Sequence, residues 1–227
     1  VGATIAAMGM FLGMQSAATA TAIMFATYFK QAQLSGIVQL VGFLPMFLFM
    51  PFVKKLVNKF GKKEAATAGT VVSLFGGLIL LVFPLVPMSL ALPVYMVGLV
   101  LFGLGMGFYT CVSWAMMSDA IDYNEWKFGT REEGTVYSLH SFFRKLAQGL
   151  GPSAVILIMG ALGYVGEKGA DQDFAVALNM KWLVAALYTF SAIVMFLSIT
   201  FIYNLNRKNV AEMTAELESR RNASENN

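Results

Sequence analysis

Charged side chains are scarce in this sequence. Asp, Glu, Lys and Arg make up 13% of its 227 residues, about half of the roughly 25% usual in soluble domains. Apolar residues make up 57% and the mean hydropathy is +0.65, which excludes a water-soluble globule and points to a polytopic membrane protein. A single cysteine, Cys111, rules out an internal disulfide. With one cysteine and one histidine, His140, no Cys/His metal-ligand spacing can be assembled. A net charge of +3 is too small to suggest nucleic acid, and no such partner is expected. The first charge is Lys30, so the basic start of a signal peptide is missing. The chain enters an apolar run almost at Val1, and a piece of a longer protein is expected.

Six apolar stretches are present, at residues 3–29, 34–53, 65–83, 93–116, 135–164 and 177–203. A helix needs about 20 residues at 1.5 Å of rise each to cross a bilayer. The expected fold is therefore an all-α membrane protein, with residues 1–204 forming six transmembrane helices and residues 205–227 a polar tail. An even number of spans puts both termini on one side. That side collects Lys54, Lys55, Lys59, Lys62, Lys63, Lys127, Arg131, Arg207, Lys208, Arg220 and Arg221, whereas Lys30, Lys168 and Lys181 fall opposite. Positive loops stay in the cytoplasm, so both termini are expected there, in a multi-pass protein of the plasma (inner) membrane.

The acids avoid the spans. Glu167, Asp171 and Asp173 fall on the outer side, the others on the cytoplasmic side, and none inside a helix core. Two cations do not avoid them: Arg144 and Lys145 sit in the fifth stretch. If that helix starts near Thr135, Lys145 lies about 15 Å deep, near the middle of a hydrocarbon core about 30 Å thick. A lysine there costs on the order of 2.5–3.5 kcal/mol on insertion scales. Its partner is expected from a missing half, another subunit or a substrate.

At 100° per residue, Tyr137, Ser141, Arg144, Lys145 and Gln148 share one arc of the fifth helix, with His140 just beyond it. A polar stripe of that width faces a water-filled cavity or a partner helix. His140 fits either that site or ordinary packing. Downstream, Gly149, Gly151 and Pro152 predict an interrupted helix, as in transporters, or a proline kink. In the fourth stretch Gly103, Gly105 and Gly107 predict close helix packing, as do Gly9 and Gly13 in the first. Thr110, Ser113 and Trp114 follow those glycines. An aromatic beside polar groups suits the apolar face of a sugar ring; Trp114 also fits an interfacial belt. The run from Asp119 to Glu133 is dense in charge and reads as a water-exposed loop. In the tail, Val210, Met213 and Leu217 recur at helical spacing, consistent with a short surface helix or with disorder.

The stretch 119–145 resembles the glycoside–pentoside–hexuronide:cation symporters, the melibiose-permease-like branch of the major facilitator superfamily. The matching residues are Asp119, Asp122, Tyr123, Glu125, Lys127, Gly129, Arg131, Gly134, Tyr137, Ser138 and Lys145. The lysine-rich link at 54–63 looks like a weakened copy of the superfamily's loop motif, with Asn58 where an acid is usual, or else a plain basic anchor. The resemblance implies the carboxy-terminal half of a twelve-span transporter. By the same resemblance, the coupling cation, Na⁺ or H⁺, would be bound mainly by the amino-terminal half, and no other cofactor is implied. Lys145 would lie beside the sugar and cation sites, with His140, Ser141, Arg144 and Thr110 as neighbours. Asp119, Asp122, Tyr123, Lys127, Gly129 and Arg131 would belong to the cytoplasmic gate. Arg144 stands where melibiose-type members carry an apolar residue.

The expected function is cation-coupled symport of a glycoside, pentoside or hexuronide by alternating access. The rival within transport is a carrier of a lysolipid, peptide or drug. A membrane enzyme is disfavoured by the missing acid–base pair at membrane depth. A symmetric six-helix channel would have to neutralise Lys145 by assembly.

Overall fold

The computed structural model describes residues 1–225; Asn226 and Asn227, the end of the expected tail, lie outside the described residues. Among the described residues seven α-helices follow one another: α1 (Gly2–Thr27), α2 (Leu34–Phe60), α3 (Lys62–Val82), α4 (Met88–Phe128), α5 (Glu133–Ala161), α6 (Phe174–Leu197) and α7 (Arg207–Glu225). α6 runs on through a π-helical turn, Ser198–Ile202. Among the described residues five helices, α1 to α4 and α6, are long and apolar enough to cross a membrane. α5 has the length but not the apolarity, because Arg144, Lys145 and Gln148 fall in its middle. The six apolar spans read from sequence thus become five plus one polar helix of spanning length.

The packing has an internal symmetry. α1 packs against α5 and α6, α4 packs against α2 and α3, and α3 meets α6. Exchanging α1 with α4, α2 with α5 and α3 with α6 leaves that pattern unchanged. An odd number of crossings separates each pair, so the two triplets run in opposite directions, an inverted repeat. α1 and α4 barely touch α2 and α5 respectively, which opens a crevice on each side. α2 and α5 form the flanks; exposed apolar side chains such as Phe47, Leu48 and Leu157 line their outer faces.

Glycines set how closely the helices approach. A methyl group on Gly103 would run into the carbonyl oxygen of Gly42 on α2, and one on Gly105 into the carbonyl oxygen of Gly69 on α3. α4 can sit on both neighbours only because these side chains are missing. Hydroxyls then bridge the helices: Tyr109 donates to the Ala3 carbonyl at 3.0 Å, Ser73 to Phe102 at 3.0 Å and Thr189 to Gly77 at 2.8 Å. Such interhelical bonds contribute about 0.6 kcal/mol each on average.

Three expectations are corrected. The charged run after Asp119 is not a loop: α4 continues to Phe128 and stops only at Gly129, whose φ of 76° is left-handed. Nothing in 119–128 breaks a helix, and a charged stretch is no obstacle once it has left the apolar layer. α5 also continues through Gly149, Gly151 and Pro152, and Gly151 is seated against Leu12 and Ser16 of α1. Lys181, expected at an outer edge, is 1% exposed inside α6. Its Nζ donates to the Tyr28 hydroxyl at 3.0 Å and lies 4.2 Å and 4.8 Å from the ring centres of Tyr28 and Phe83. Two aromatic faces and one hydroxyl replace water around that ammonium.

Candidate functional site

α1, α4 and α5 meet around one group of polar and aromatic side chains. Trp114, on the fourth helix, stacks on Tyr137 of the fifth with ring centres 6.0 Å apart and planes 27° apart. The two rings are 45% and 50% exposed, so the pair presents an open aromatic surface. Arg144 lies two turns beyond Tyr137, with its guanidinium carbon 5.0 Å from the Trp114 ring centre and 5.5 Å from that of Phe11 on α1. It is partly buried; its Nε is fully buried and makes no hydrogen bond among the described residues. The Oγ of Ser141 is in the same condition. Thr110, one turn before Trp114, donates to the Met106 carbonyl at 2.8 Å and rests 3.6 Å from the Met10 sulfur.

Beside this group is a cavity of about 570 Å³ between the first turns of α1, the charged end of α4 and the start of α5. That is in the usual range for small-molecule sites, about 300–1,000 Å³. Thr4, Met8, Asn124, Leu139, His140 and Phe143 are among its walls. His140 is 5% exposed, and its Nδ1 is 3.1 Å from the Thr4 hydroxyl; its ring centre lies 6.3 Å from that of Trp114, with the planes 69° apart. Packing and cavity lining coincide in this histidine.

The polar arc of α5 divides. Tyr137, Ser141 and Arg144 turn toward α1 and α4, whereas Lys145 is exposed on the flank, with no hydrogen bond or ion pair among the described residues. Gln148 is partly buried and equally without a polar partner among them. Lys145 is the thirteenth residue of α5, about 18 Å from its start. Sequence reasoning missed Phe11 and Thr4: α1 carries no charge, and nothing in an apolar run tells which ring meets a guanidinium.

A second group lies at the charged end of α4. Arg131 donates to Asp122 at 2.8 Å, to Glu125 at 2.7 Å and to Glu133 at 2.6 Å. These three carboxylates hold its guanidinium well above the usual pKa, Glu125 most strongly. Arg221 of α7 shares Glu125 at 2.9 Å, and the Trp126 indole N–H donates to Glu216 at 2.7 Å. That indole and Arg220 hold the Glu216 carboxyl below its ordinary pKa. The Lys127 ammonium lies 5.7 Å from the Tyr123 ring centre. Asp119, expected in water, is 4% exposed and paired with Lys62 of α3 at 2.5 Å. Of the six expected gate residues, Asp122, Tyr123 and Lys127 lie at the end of α4, Asp119 about one helical turn further in on the same helix, and Gly129 and Arg131 in the link to α5, where Gly129 supplies the bend.

The model of the family described as MFS/sugar transport protein matches residues 3–207. The chain belongs to this family of major facilitator transporters. It is 33% identical over 196 residues to an uncharacterized symporter of Bacillus subtilis, covering 84% of this chain and 41% of that protein. It is 32% identical over 188 residues to the isoprimeverose transporter of Lactiplantibacillus pentosus, covering 81% of this chain and 38% of the other. With the glucuronide carrier protein homolog of Escherichia coli it shares 32% identity over 171 residues, covering 75% of this chain and 36% of that one. The chain spans about two fifths of the length of these relatives, and its inverted triplets are roughly half of a major facilitator fold. The family assignment agrees with the symporter resemblance carried by the residues between Asp119 and Lys145, and with several helices of spanning length it makes this a multi-pass membrane protein.

Proposed function

We propose that the complete protein is a secondary active sugar transporter, moving a glycoside, pentoside or hexuronide together with Na⁺ or H⁺ by alternating access. The observation that carries this reading is the Trp114–Tyr137 aromatic surface beside Arg144, opening next to a cavity large enough for a sugar. Relatives named for isoprimeverose and glucuronide transport support the substrate class. In this reading residues 1–204 form one half of the transporter and 205–227 a cytoplasmic tail, both termini are cytoplasmic in the plasma (inner) membrane, and an amino-terminal half supplies the acids that bind the cation. Thr110, Trp114, Tyr137, His140, Ser141, Arg144, Lys145 and Gln148 face or border the transport path, and Lys145 pairs with those acids until the cation displaces it. Asp119, Asp122, Tyr123, Lys127, Gly129 and Arg131 form the cytoplasmic gate.

The test is uptake of radiolabelled glycosides by vesicles containing the full-length protein, with an imposed sodium or proton gradient. Gradient-driven accumulation of at least one sugar is expected; facilitated exchange without accumulation would overturn the coupling. A carrier of a lysolipid, peptide or drug is the second reading, favoured by the apolar share of the cavity wall, including Ile5, Met8, Val136 and Leu139. Uptake of labelled lysolipid and not of sugars would establish it.

A further inference from the structure

Two other cations held in the bundle have found polar partners. Lys181 has a hydroxyl between two rings, and Lys62 has Asp119. Arg144 has aromatic faces alone: Trp114 and Phe11 lie against it, its Nε is buried without an acceptor, and none of the ion pairs among the described residues involves it. Packing over a ring uses the face of the guanidinium and leaves the N–H edge, the part that binds anions bidentately, without a partner. Ser141, one turn back on the same helix, adds a hydroxyl that is buried and equally unpartnered. A buried donor left unsatisfied costs about 1–3 kcal/mol, and more if charged, so the fold holds two donors in a state that a ligand would relieve.

We propose that Arg144, assisted by Ser141, is the specificity residue for a negatively charged substituent on the sugar, a carboxylate or a sulfonate. The proposal rests on the sugar-transport reading above and narrows it. The Trp114–Tyr137 surface takes the apolar face of the pyranose ring. Arg144 takes the anionic group at the ring's edge, and Lys145, the next residue, raises the local positive potential without being held in place by any acid among the described residues. A neutral sugar leaves the guanidinium edge unsatisfied and is rejected for that reason, as sites built to hydrogen-bond one group reject analogues that lack it.

The test compares three methyl glucosides differing only at C6: hydroxymethyl, carboxylate and sulfonate. Initial uptake rates are measured with the full-length transporter in proteoliposomes, and the readout is the ratio of kcat/KM for each anionic sugar to that for the neutral one. The wild-type ratio for at least one anion is expected to exceed unity. In Arg144→Gln it should fall by about 100-fold, the worth of one or two charge-assisted hydrogen bonds. Arg144→Lys, which keeps the charge but not the fork, should recover part of it. Ser141→Ala should lower the ratio by about 5-fold, one neutral-donor hydrogen bond. Size-exclusion profiles matching wild type show that each variant is folded, and Arg144→Lys serves if Arg144→Gln is not. A ratio that Arg144→Gln leaves unchanged overturns the proposal, since Arg144 would then be a counter-ion for the other half. A wild-type preference for the neutral sugar overturns it while leaving the transport reading intact. A folded wild-type protein that moves none of the three overturns both.

Discussion

The two polar regions of this bundle are built on opposite plans. At the charged end of α4 nearly every group has a partner: Arg131 binds three carboxylates, Glu125 serves Arg131 and Arg221, and Trp126 and Arg220 both reach Glu216. Along the middle of α5 the opposite holds, with Arg144, Lys145 and Ser141 lacking any polar partner among the described residues. Saturation is what a brace requires. Unsatisfied cations at the depth of an apolar layer are costly, and a sequence keeps them only if something outside these helices completes them. The difference therefore sorts structural charge from working charge, a distinction that composition alone does not make.

The contrast predicts unequal outcomes of charge removal. The largest effect belongs to Lys145→Leu, expected to abolish cation-driven sugar accumulation by the full-length transporter while leaving membrane expression and detergent stability intact. Normal accumulation in this variant would sink the coupling role. Next is Gly103→Val, which puts a side chain where the Gly42 carbonyl stands; α4 and α2 must separate, and a loss of about 2–3 kcal/mol of stability is expected from overpacking, read as a lower melting temperature. A thermal shift within error would show that α2 moves aside freely. Lys62→Met comes third. Asp119 is then buried without a counter-ion, and because Lys62 is one-third exposed the cost should be about 1–2 kcal/mol, below the roughly 3–5 kcal/mol of a fully buried pair. The double variant Lys62→Met/Asp119→Leu should recover most of it; no recovery would mean the pair is not coupled.

Much of this architecture was legible in the sequence. Hydropathy placed six helices, and the helical spacing of Val210, Met213 and Leu217 left a short surface helix or disorder open for the tail; the structure has the helix α7, with Met213 and Leu217 2% and 5% exposed. Of the polar arc of α5, Tyr137 and Arg144 meet Trp114 in the structure, whereas Lys145 does not. What was not legible depended on contacts between helices. Lys181 was counted as an edge charge because charge counting ignores aromatic boxes built by residues 28 and 83. Asp119 looked solvent-bound because its partner is 57 residues away. Arg144 and Lys145 are chain neighbours with identical charge, yet about 100° of helical rotation puts one over Trp114 and Phe11 and the other on the exposed flank. No feature of the pair itself tells which will turn inward.

The smallest expected effect tests the saturated region. Glu125→Gln removes the carboxylate shared by Arg131 and Arg221, yet both arginines are substantially exposed, at 40% and 53% of their side-chain area. Solvent-exposed pairs are worth about 0–1 kcal/mol, and Arg131 keeps Asp122 and Glu133. A stability loss under about 1 kcal/mol is therefore expected. The variant should act instead on the docking of α7, which is held to α4 by Arg221 on Glu125, by the Trp126–Glu216 bond and by buried Met213 and Leu217. Limited proteolysis should cut within 207–225 faster in Glu125→Gln than in wild type, and faster again in Glu125→Gln/Leu217→Asp. If Glu125→Gln instead lowers stability by several kcal/mol, the network is a cooperative keystone, and partner saturation would no longer separate bracing charge from working charge.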